Sequence, residues 1–177
     1  MKKILCFPGS NSSSSINYQL LHSLLPLMDG VEKELIHLKD YQSVLYGIDE
    51  EKENGFPEAS KSLLKQIQSA DAFIISTAEH NSSLPVALKN ALDWLSRMER
   101  NVFEDKPMLI LSTSPGRRGG KTALSHLEMM MPRFGAKLIG SLSIPEFNQK
   151  VQSRIIVDKE IKEQLIKEIE SLLTELK

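Results

Sequence analysis

The sequence has one cysteine, no long apolar run and almost no net charge, and each absence excludes a class of protein. Cys6 alone cannot form an intrachain disulfide or a cysteine-rich zinc site. The apolar stretch Ile4 to Phe7 stops at Pro8, too early for a signal sequence or a membrane span. The 22 basic and 23 acidic residues nearly cancel, which favours neither nucleic acid nor an anionic membrane as a partner. We therefore expect a cytoplasmic protein.

The rest of the sequence alternates apolar runs with helical patterns and contains no repeat or linker. Because domains commonly hold about 100–200 residues, we expect residues 1–177 to form a single domain. The predicted strands are Ile4 to Phe7, Val31 to Leu38, Ala72 to Ser76, Met108 to Leu111, and Ala136 to Ile139 with a further piece at Ser141 to Ile144. The predicted helices are Asn17 to Met28, Pro57 to Gln68, Pro85 to Met98, Thr122 to Met131, and Asp158 to Leu176.

Strands that alternate with helices predict an α/β fold in which helices cover both faces of a parallel sheet. Five such units suit the flavodoxin-like three-layer sandwich, a five-stranded parallel sheet in the order 2-1-3-4-5. In that order a ligand binds beyond the carboxyl ends of the first, third and fourth strands. We expect a long connection over residues 39–56, and such loops tend to be functional or mobile.

The loop after the first predicted strand, Gly9-Ser-Asn-Ser-Ser-Ser-Ser-Ile-Asn17, is rich in hydroxyl groups. Backbone N–H groups and hydroxyls at a helix N-terminus favour a bound phosphate. The loop contains no lysine or arginine. A neutral nest of this kind suits a monoester phosphate, such as that of FMN, better than a triphosphate that also needs a metal.

The segment after the third predicted strand, residues 77–97, joins a polar turn to an amphipathic helix. Pro85 suits the first helical turn, and Ser82 or Ser83 is a candidate N-cap. One apolar stripe is expected to face the core, formed by Leu88, Leu92 and Leu95 with Ala91 beside them and Trp94 near its edge. Four polar side chains are expected to face mostly away from the core, namely Lys89, Asn90, Asp93 and Arg97.

The same segment resembles a known family. Glu79 to Asn81, Leu84-Pro85 and Leu88 to Trp94 resemble the pattern P-E-Y-N-x-S-x-P-x-x-L-K-N-A-I-D-W of NADPH-dependent FMN reductases. The sequence departs from that pattern at three positions, with Ala78 for proline, His80 for tyrosine and Val86 for glycine. In the family, this turn wraps the isoalloxazine ring of the flavin.

Two more loops resemble the same family. The first loop is similar to G-S-x-R-x-x-S-x-N, with Ser12 in place of the arginine, and the loop after the fourth predicted strand is similar to S-P-G-x-x-G-G. The resemblance covers Ile4 to about Pro145 and implies that the first loop holds the FMN phosphate while the other two hold the ring. The implied cofactor-binding residues are Ser10, Ser12, Ser15, Ile16, Asn17, Ala78, Glu79, His80, Asn81, Ser114, Pro115, Gly116 and Gly119.

The resemblance also implies an activity. Hydride from NADPH or NADH would pass to bound FMN and then to a small-molecule acceptor, such as a quinone, an azo compound, a metal oxyanion or free flavin. No side chain has to act as acid or base in the first half, and we expect no metal site. The family forms homodimers or homotetramers, and the apolar groups within Met98 to Phe103 are a candidate contact.

Two alternatives accompany this interpretation. Gly120 to Thr122 matches the end of the phosphate-binding loop of nucleoside triphosphatases, but Pro115 stands where that motif has its first glycine. The other alternative is a flavin-binding electron carrier or redox sensor without its own NAD(P)H turnover. An acidic surface would favour a carrier, whereas the near-zero net charge and the loop from Gly116 to Gly120 favour a reductase.

Overall fold

The computed structural model describes all residues, from Met1 to Lys177, and is built on one five-stranded sheet. Its strands are β1 (Lys3–Gly9), β2 (Glu32–Leu35), β3 (Ala72–Thr77), β4 (Pro107–Thr113) and β5 (Lys137–Ile144). All neighbours pair in parallel, in the order β2-β1-β3-β4-β5. The predicted flavodoxin-like order is therefore confirmed.

The α-helices are α1 (Ile16–Leu24), α2 (Ile48–Asn54), α3 (Glu58–Gln68), α4 (Val86–Met98), α5 (Lys121–Met130), α6 (Phe147–Lys150) and α7 (Lys159–Thr174). Short 3-10 turns cover Leu25–Leu27, Leu38–Tyr41 and Met131–Phe134, and a small hairpin pairs β6 (Val151–Gln152) with β7 (Ile155–Ile156). Helices α1 and α7 cover one face of the sheet, and α3, α4 and α5 cover the other.

The central strands supply both hydrophobic cores. Every residue of β3 is buried, as expected for a parallel strand covered by helices on both sides. Because side chains alternate along a strand, Phe73 and Ile75 join the core under α3 to α5, whereas Ile74 joins the core under α1 and α7. Burial raises the pKa of the Cys6 thiol to about 12, so this side chain acts as apolar filler.

The connection over residues 39–56 is more ordered than predicted, because it contains a 3-10 turn and helix α2. We call residues 42–56 the strap. Helix α2 has no buried residue and therefore no apolar periodicity to reveal it. Its first turn carries Asp49, Glu50 and Glu51, which suit the positive end of a helix, and Gly55 ends it at φ 71°.

Residues of the strap enclose the side chain of Trp94, which is fully buried. Tyr46 and Phe56 of the strap pack edge-on against the indole, with ring centroids 5.0 and 6.5 Å away. The indole Nε1 donates to the carbonyl of Val44 at 2.8 Å. Trp94 therefore holds the strap on α4 in addition to packing its own helix.

Other expectations are corrected in detail. Strand β5 is one continuous strand, and its register against β4 shifts between Met108 and Leu109, where Ile139 is skipped. This is a β-bulge, which explains why the sequence pattern looked interrupted. The sequence analysis missed α6 and the hairpin of β6 and β7, whose elements hold only four and two residues. No helix has the length and apolar character needed to cross a bilayer.

Candidate active site

Three loops leave the sheet at the same level along one edge. Gly9 at the end of β1 pairs with Thr77 at the end of β3, and Thr77 pairs with Ser112 near the end of β4. The loops that follow therefore stand side by side, as ligand binding at the edge of a parallel sheet requires. A Cβ on Gly9 would lie 2.7 Å from Cδ2 of Leu88 and 3.2 Å from Cα of Thr77, so glycine lets α4 and β3 pack closely against the end of β1.

The first loop is organised by its own serine hydroxyls. Ser15 is the N-cap of α1, where its Oγ accepts from the N–H of Tyr18 at 3.2 Å. Ser10 is buried and accepts from the N–H of Ser12, and the exposed Oγ of Ser12 accepts from the N–H of Ser14, both at 3.2 Å. These bonds curl the loop over the start of α1, where its backbone faces outward.

The start of α1 keeps unused hydrogen-bond donors. The backbone N–H groups of Ser13, Ile16 and Asn17 make no hydrogen bond within the protein. Such donors at a helix N-terminus bind anions, so this loop fits the phosphate of FMN. The Asn17 side chain has another task, because it is buried and its Oδ1 accepts from Ser76 Oγ at 2.7 Å. This bond anchors α1 on β3 beneath the loop.

The second loop contains a tight backbone turn. His80 and Ser83 exchange two backbone hydrogen bonds of 3.0 Å, and Asn81 and Ser82 between them have φ angles of 49° and 59°. Positive φ at both central positions is typical of a type I′ turn. The predicted N-cap at Ser82 or Ser83 is therefore wrong, because α4 begins after Pro85 with no side-chain cap. The turn exposes His80 and Asn81 at the sheet edge.

Glu79 joins the second loop to the third. Its Oε2 accepts from the backbone N–H groups of Thr122 and Ala123, at 2.9 and 3.1 Å. The N-cap of α5 is Gly120, which has no side chain to satisfy those donors. The Glu79 carboxylate therefore caps α5 from a neighbouring loop, next to the positive end of its dipole. Just before it, the half-buried Ala78 accepts at its carbonyl from Thr77 Oγ1.

The backbone of the third loop is hydrogen-bonded to neighbouring residues on one side and exposed on the other. The carbonyl of Gly116 accepts from Ser114 Oγ at 3.2 Å and from the N–H of Glu146 at 3.0 Å. Gly119 has φ 62°, and a Cβ there would lie 2.8 Å from the backbone nitrogen of Pro145. A Cβ on Gly116, by contrast, would meet no atom closer than 4.0 Å.

This loop therefore offers a flat ring an open backbone surface, formed by the exposed residues Pro115 and Gly116. The two arginines that follow do not contribute to the first loop. Arg117 is exposed beside Glu146, and Arg118 donates to Thr122 Oγ1 at 3.0 Å. The first loop thus has no arginine from this segment to replace the one absent at Ser12.

Two cavities flank the second loop. One, of about 250 Å³, lies between residues 38–45 and the first turns of α4, with His80 and Asn11 at its edge. The other, of about 440 Å³, lies between the first two turns of α4 and one side of α5. Its lining includes Leu84, Lys89, Asp93, His126 and Met130. His80 borders both cavities. The sequence analysis missed the first cavity because residues 39–56 carry no motif.

Comparison with known proteins assigns this chain to a protein family. The model of the NADPH-dependent FMN reductase family matches residues 2–149, which include all three loops. The chain belongs to this family. As a family member it is an NAD(P)H-dependent FMN oxidoreductase, and the carrier or sensor alternative is not supported.

Several curated relatives are similar over most of their length. A quinone reductase of Escherichia coli is 34% identical over 146 residues, which cover 82% of this chain and 76% of the relative. An NAD(P)H-dependent FMN reductase of Pseudomonas aeruginosa is 35% identical over 73% of this chain and 69% of its own. A 2-hydroxy-1,4-benzoquinone reductase of a Burkholderia species is 38% identical over 71% of this chain and 67% of its own.

Among solved structures, the NAD(P)H:acceptor oxidoreductase FerB of Paracoccus denitrificans superposes with a TM-score of 0.83 at 26% identity. The match covers 98% of this chain and 96% of FerB. The two chains therefore share one fold over nearly their whole lengths.

Proposed function

We propose that this protein reduces quinones with NAD(P)H through FMN held by the three loops. FMN bound there would supply the two-electron chemistry that accepts a hydride from the nicotinamide and passes it to the acceptor. The overall reaction balances as NAD(P)H, a quinone and a proton giving NAD(P)⁺ and a hydroquinone. The observation that carries the proposal is the alignment of free N–H donors on α1 with the open face of Gly116 along one sheet edge.

The residue assignments follow from the contacts. We assign the phosphate to Ser12, to the capping region at Ser15 and Ile16, and to the backbone of Asn17, with Ser10 holding the loop from inside. We assign the ring to the backbone of Ala78 to Asn81 on one side and of Ser114 to Gly119 on the other. Glu79 and Asn17 act in this proposal as positioning residues, since their side chains are engaged within the protein.

A quinone is the acceptor that the relatives support, since two of them are named for quinone reduction. The test is steady-state turnover of a neutral quinone, with hydroquinone and NAD(P)⁺ measured in equal amounts. Turnover of free FMN or an azo dye without any turnover of quinones would contradict this acceptor.

The assignment of the phosphate has its own test. FMN should bind, whereas riboflavin, which lacks the phosphate, should bind far more weakly. Since FMN supplies charge to donors that otherwise meet only water, equal affinities for the two would contradict the site at α1.

We infer that the protein works as a homodimer, or a homotetramer built from dimers, in the cytoplasm. We expected the apolar groups within Met98 to Phe103 to form the contact between subunits. Val102 and Phe103 are instead fully buried in the core of their own chain. The support is the exposure of two apolar side chains, Val86 of α4 and Met129 of α5, which are 69% and 62% exposed. Val86 also lines the groove between these helices. Patches of exposed apolar side chains are commonly interfaces, and a twofold axis would pair this groove with itself. Light scattering tests the oligomeric state.

A further inference from the structure

The cavity of about 250 Å³ beside the second loop, called here the strap cavity, shares only His80 with the FMN ligands assigned above. Its apolar walls come from Leu38 and Leu45 on one side and from Pro85, Val86 and Ala87 on the other. His80 and Asn11 at its edge belong to the second and first loops, so the cavity opens beside the proposed ring position. A molecule bound there would lie next to the flavin.

Asn90 fixes the outer wall of the strap cavity. Its Oδ1 accepts from the N–H of Tyr46 at 2.8 Å, and its Nδ2 donates to the carbonyls of Ser43 and Val44 at 3.2 and 3.0 Å. The indole of Trp94 adds a second bond to Val44. A loop segment held by four bonds from one helix forms a fixed wall of the cavity.

A second clamp holds the far end of the strap. Arg97 donates from Nε and Nη2 to the two carboxylate oxygens of Glu51, at 2.8 and 3.1 Å. Tyr46 also donates its hydroxyl to Glu51 at 3.1 Å. Trp94 and Arg97, one and two turns along α4 from Asn90, thus fasten the strap at Val44 and again at Glu51 of α2.

The chemistry of the lining selects an uncharged ligand. None of the lining residues is Asp, Glu, Lys or Arg, and half of them are apolar. A charged ligand would lose its hydration without gaining an ion pair, which is costly. The volume is below the roughly 300–1,000 Å³ of sites for drug-sized ligands, so it suits one or two fused rings.

We propose that the strap cavity is the acceptor subsite for a compact, neutral quinone, with Ala87 setting its depth and Asn90 positioning its wall. This inference rests on the proposed function. It explains why the helix begins with small residues at its inner side: Ala87 and Ala91 both line the cavity and leave room that larger side chains would fill. Multiply charged anionic acceptors, such as ferricyanide, are predicted to react without using it.

The test fills the cavity by one substitution, Ala87→Leu, and uses Ala59→Leu as the matched control. Both alanines are the second residue of a helix that follows a proline N-cap, so the two changes have the same local effect. The measurement is kcat/KM for 1,4-naphthoquinone divided by kcat/KM for ferricyanide, a small anion. Equilibrium dialysis of the naphthoquinone against the oxidised holoenzyme supplies a reading that needs no turnover.

Ala87→Leu should lower the ratio of the two kcat/KM values about tenfold or more, and the naphthoquinone affinity by a similar factor. A few methylenes in an apolar pocket discriminate between substrates by that order. Ala59→Leu should leave both close to the wild-type values. Light scattering on each variant separates a filled cavity from altered assembly. If Ala87→Leu does not fold, Val86→Ala replaces it, and widening the mouth should then raise kcat/KM for a bulkier 2-alkyl naphthoquinone.

The possible results distinguish a failure of the strap-cavity subsite from a failure of the proposed function. If the wild-type enzyme does not reduce naphthoquinone, the proposed acceptor is wrong and the subsite falls with it. If the wild-type enzyme reduces naphthoquinone but Ala87→Leu behaves like Ala59→Leu in turnover and in dialysis, or Val86→Ala fails to widen acceptance, the strap cavity is not the subsite and the proposed function stands.

Discussion

Glu79 shows how a single side chain couples two loops of the site. Its carboxylate lies on one loop and caps the helix that begins after the other, through the N–H groups of Thr122 and Ala123. The family pattern led us to expect this residue at the flavin ring. The structure shows that its side chain joins the two loops, and we propose that only its backbone meets the ring.

We predict that Glu79→Ala destabilises the protein by about 1–2 kcal/mol, the usual effect of removing a helix cap. FMN affinity should fall as well, because the loops lose their fixed spacing. Glu79→Gln keeps an acceptor oxygen and loses only the interaction of the charge with the dipole, about 0.3–1 kcal/mol. Urea unfolding and an FMN fluorescence titration measure both effects. Equal losses in Gln and Ala would contradict the capping role.

Ser12 is the site of the second residue-scale prediction. The family has arginine there, and neither Arg117 nor Arg118 points to the first loop to replace it. Ser12→Arg should tighten FMN binding by about 1.5–3 kcal/mol, the contribution of a charge-assisted hydrogen bond. Ser13→Arg, also exposed and one residue away, is the matched control. The dissociation constant of FMN measures both, and equal tightening would show only a general effect of charge.

At the scale of elements, the strap is the part that sequence analysis described least well. Asn90 and Arg97 of α4 were predicted to face mostly away from the core, and the structure shows that both bind the strap. Periodicity identifies the apolar face of a helix, whereas it says nothing about polar side chains that serve a neighbouring loop. The predicted long connection and the misplaced N-cap at Ser82 or Ser83 have the same origin, since backbone turns leave little trace in apolar patterns.

Asn90→Ala should detach the strap from α4. It removes three hydrogen bonds, each worth about 0.5–1.5 kcal/mol net, so the free energy of unfolding should fall by about 2–4 kcal/mol. The fluorescence of Trp94, the sole tryptophan, should shift to the red as water reaches the indole. Lys89→Ala removes only the exposed pair with Asp93 and should change stability by less than about 1 kcal/mol. An unshifted spectrum in Asn90→Ala would show that the indole alone holds the strap.

A pH-dependent contact lies at the amino ends of the strands, opposite the candidate active site. Asp71, just before β3, accepts from Lys2 Nζ and from the N–H of Lys3, both at 2.9 Å. The bond from Lys2 and then that from the Lys3 backbone hold the pKa of Asp71 below its usual 3.8. A depressed pKa stabilises the fold above the unfolded value, and this contribution is lost as the pH falls through the folded pKa.

Asp71→Asn should therefore lower stability at about pH 7 and make less difference at about pH 3. The effect is modest, since the carboxylate is a third exposed and screened by water. Urea unfolding of both proteins at the two pH values measures it. A difference that grows on acidification would contradict the assigned direction of the shift.

For the whole molecule, the sheet order and the placement of the three loops at one edge followed from the sequence because buried parallel strands are continuous apolar runs. Ala72 to Ile75 and Met108 to Leu111 identify β3 and β4 directly, and the glycine and serine loops follow them. What the sequence could not supply is the assignment of side chains within the loops, as Glu79 and Asn17 show. The single domain expected for residues 1–177 and the oligomeric state stay predictions.

The central claim is that this protein passes electrons from NAD(P)H through FMN to a quinone. The most direct measurement is the visible flavin band of the FMN-loaded protein without oxygen, first with NADPH or NADH and then with 1,4-naphthoquinone. We expect the band to bleach with the nicotinamide and to return in full when an equal amount of quinone is added. A band that neither nicotinamide bleaches, while dithionite does, would contradict it.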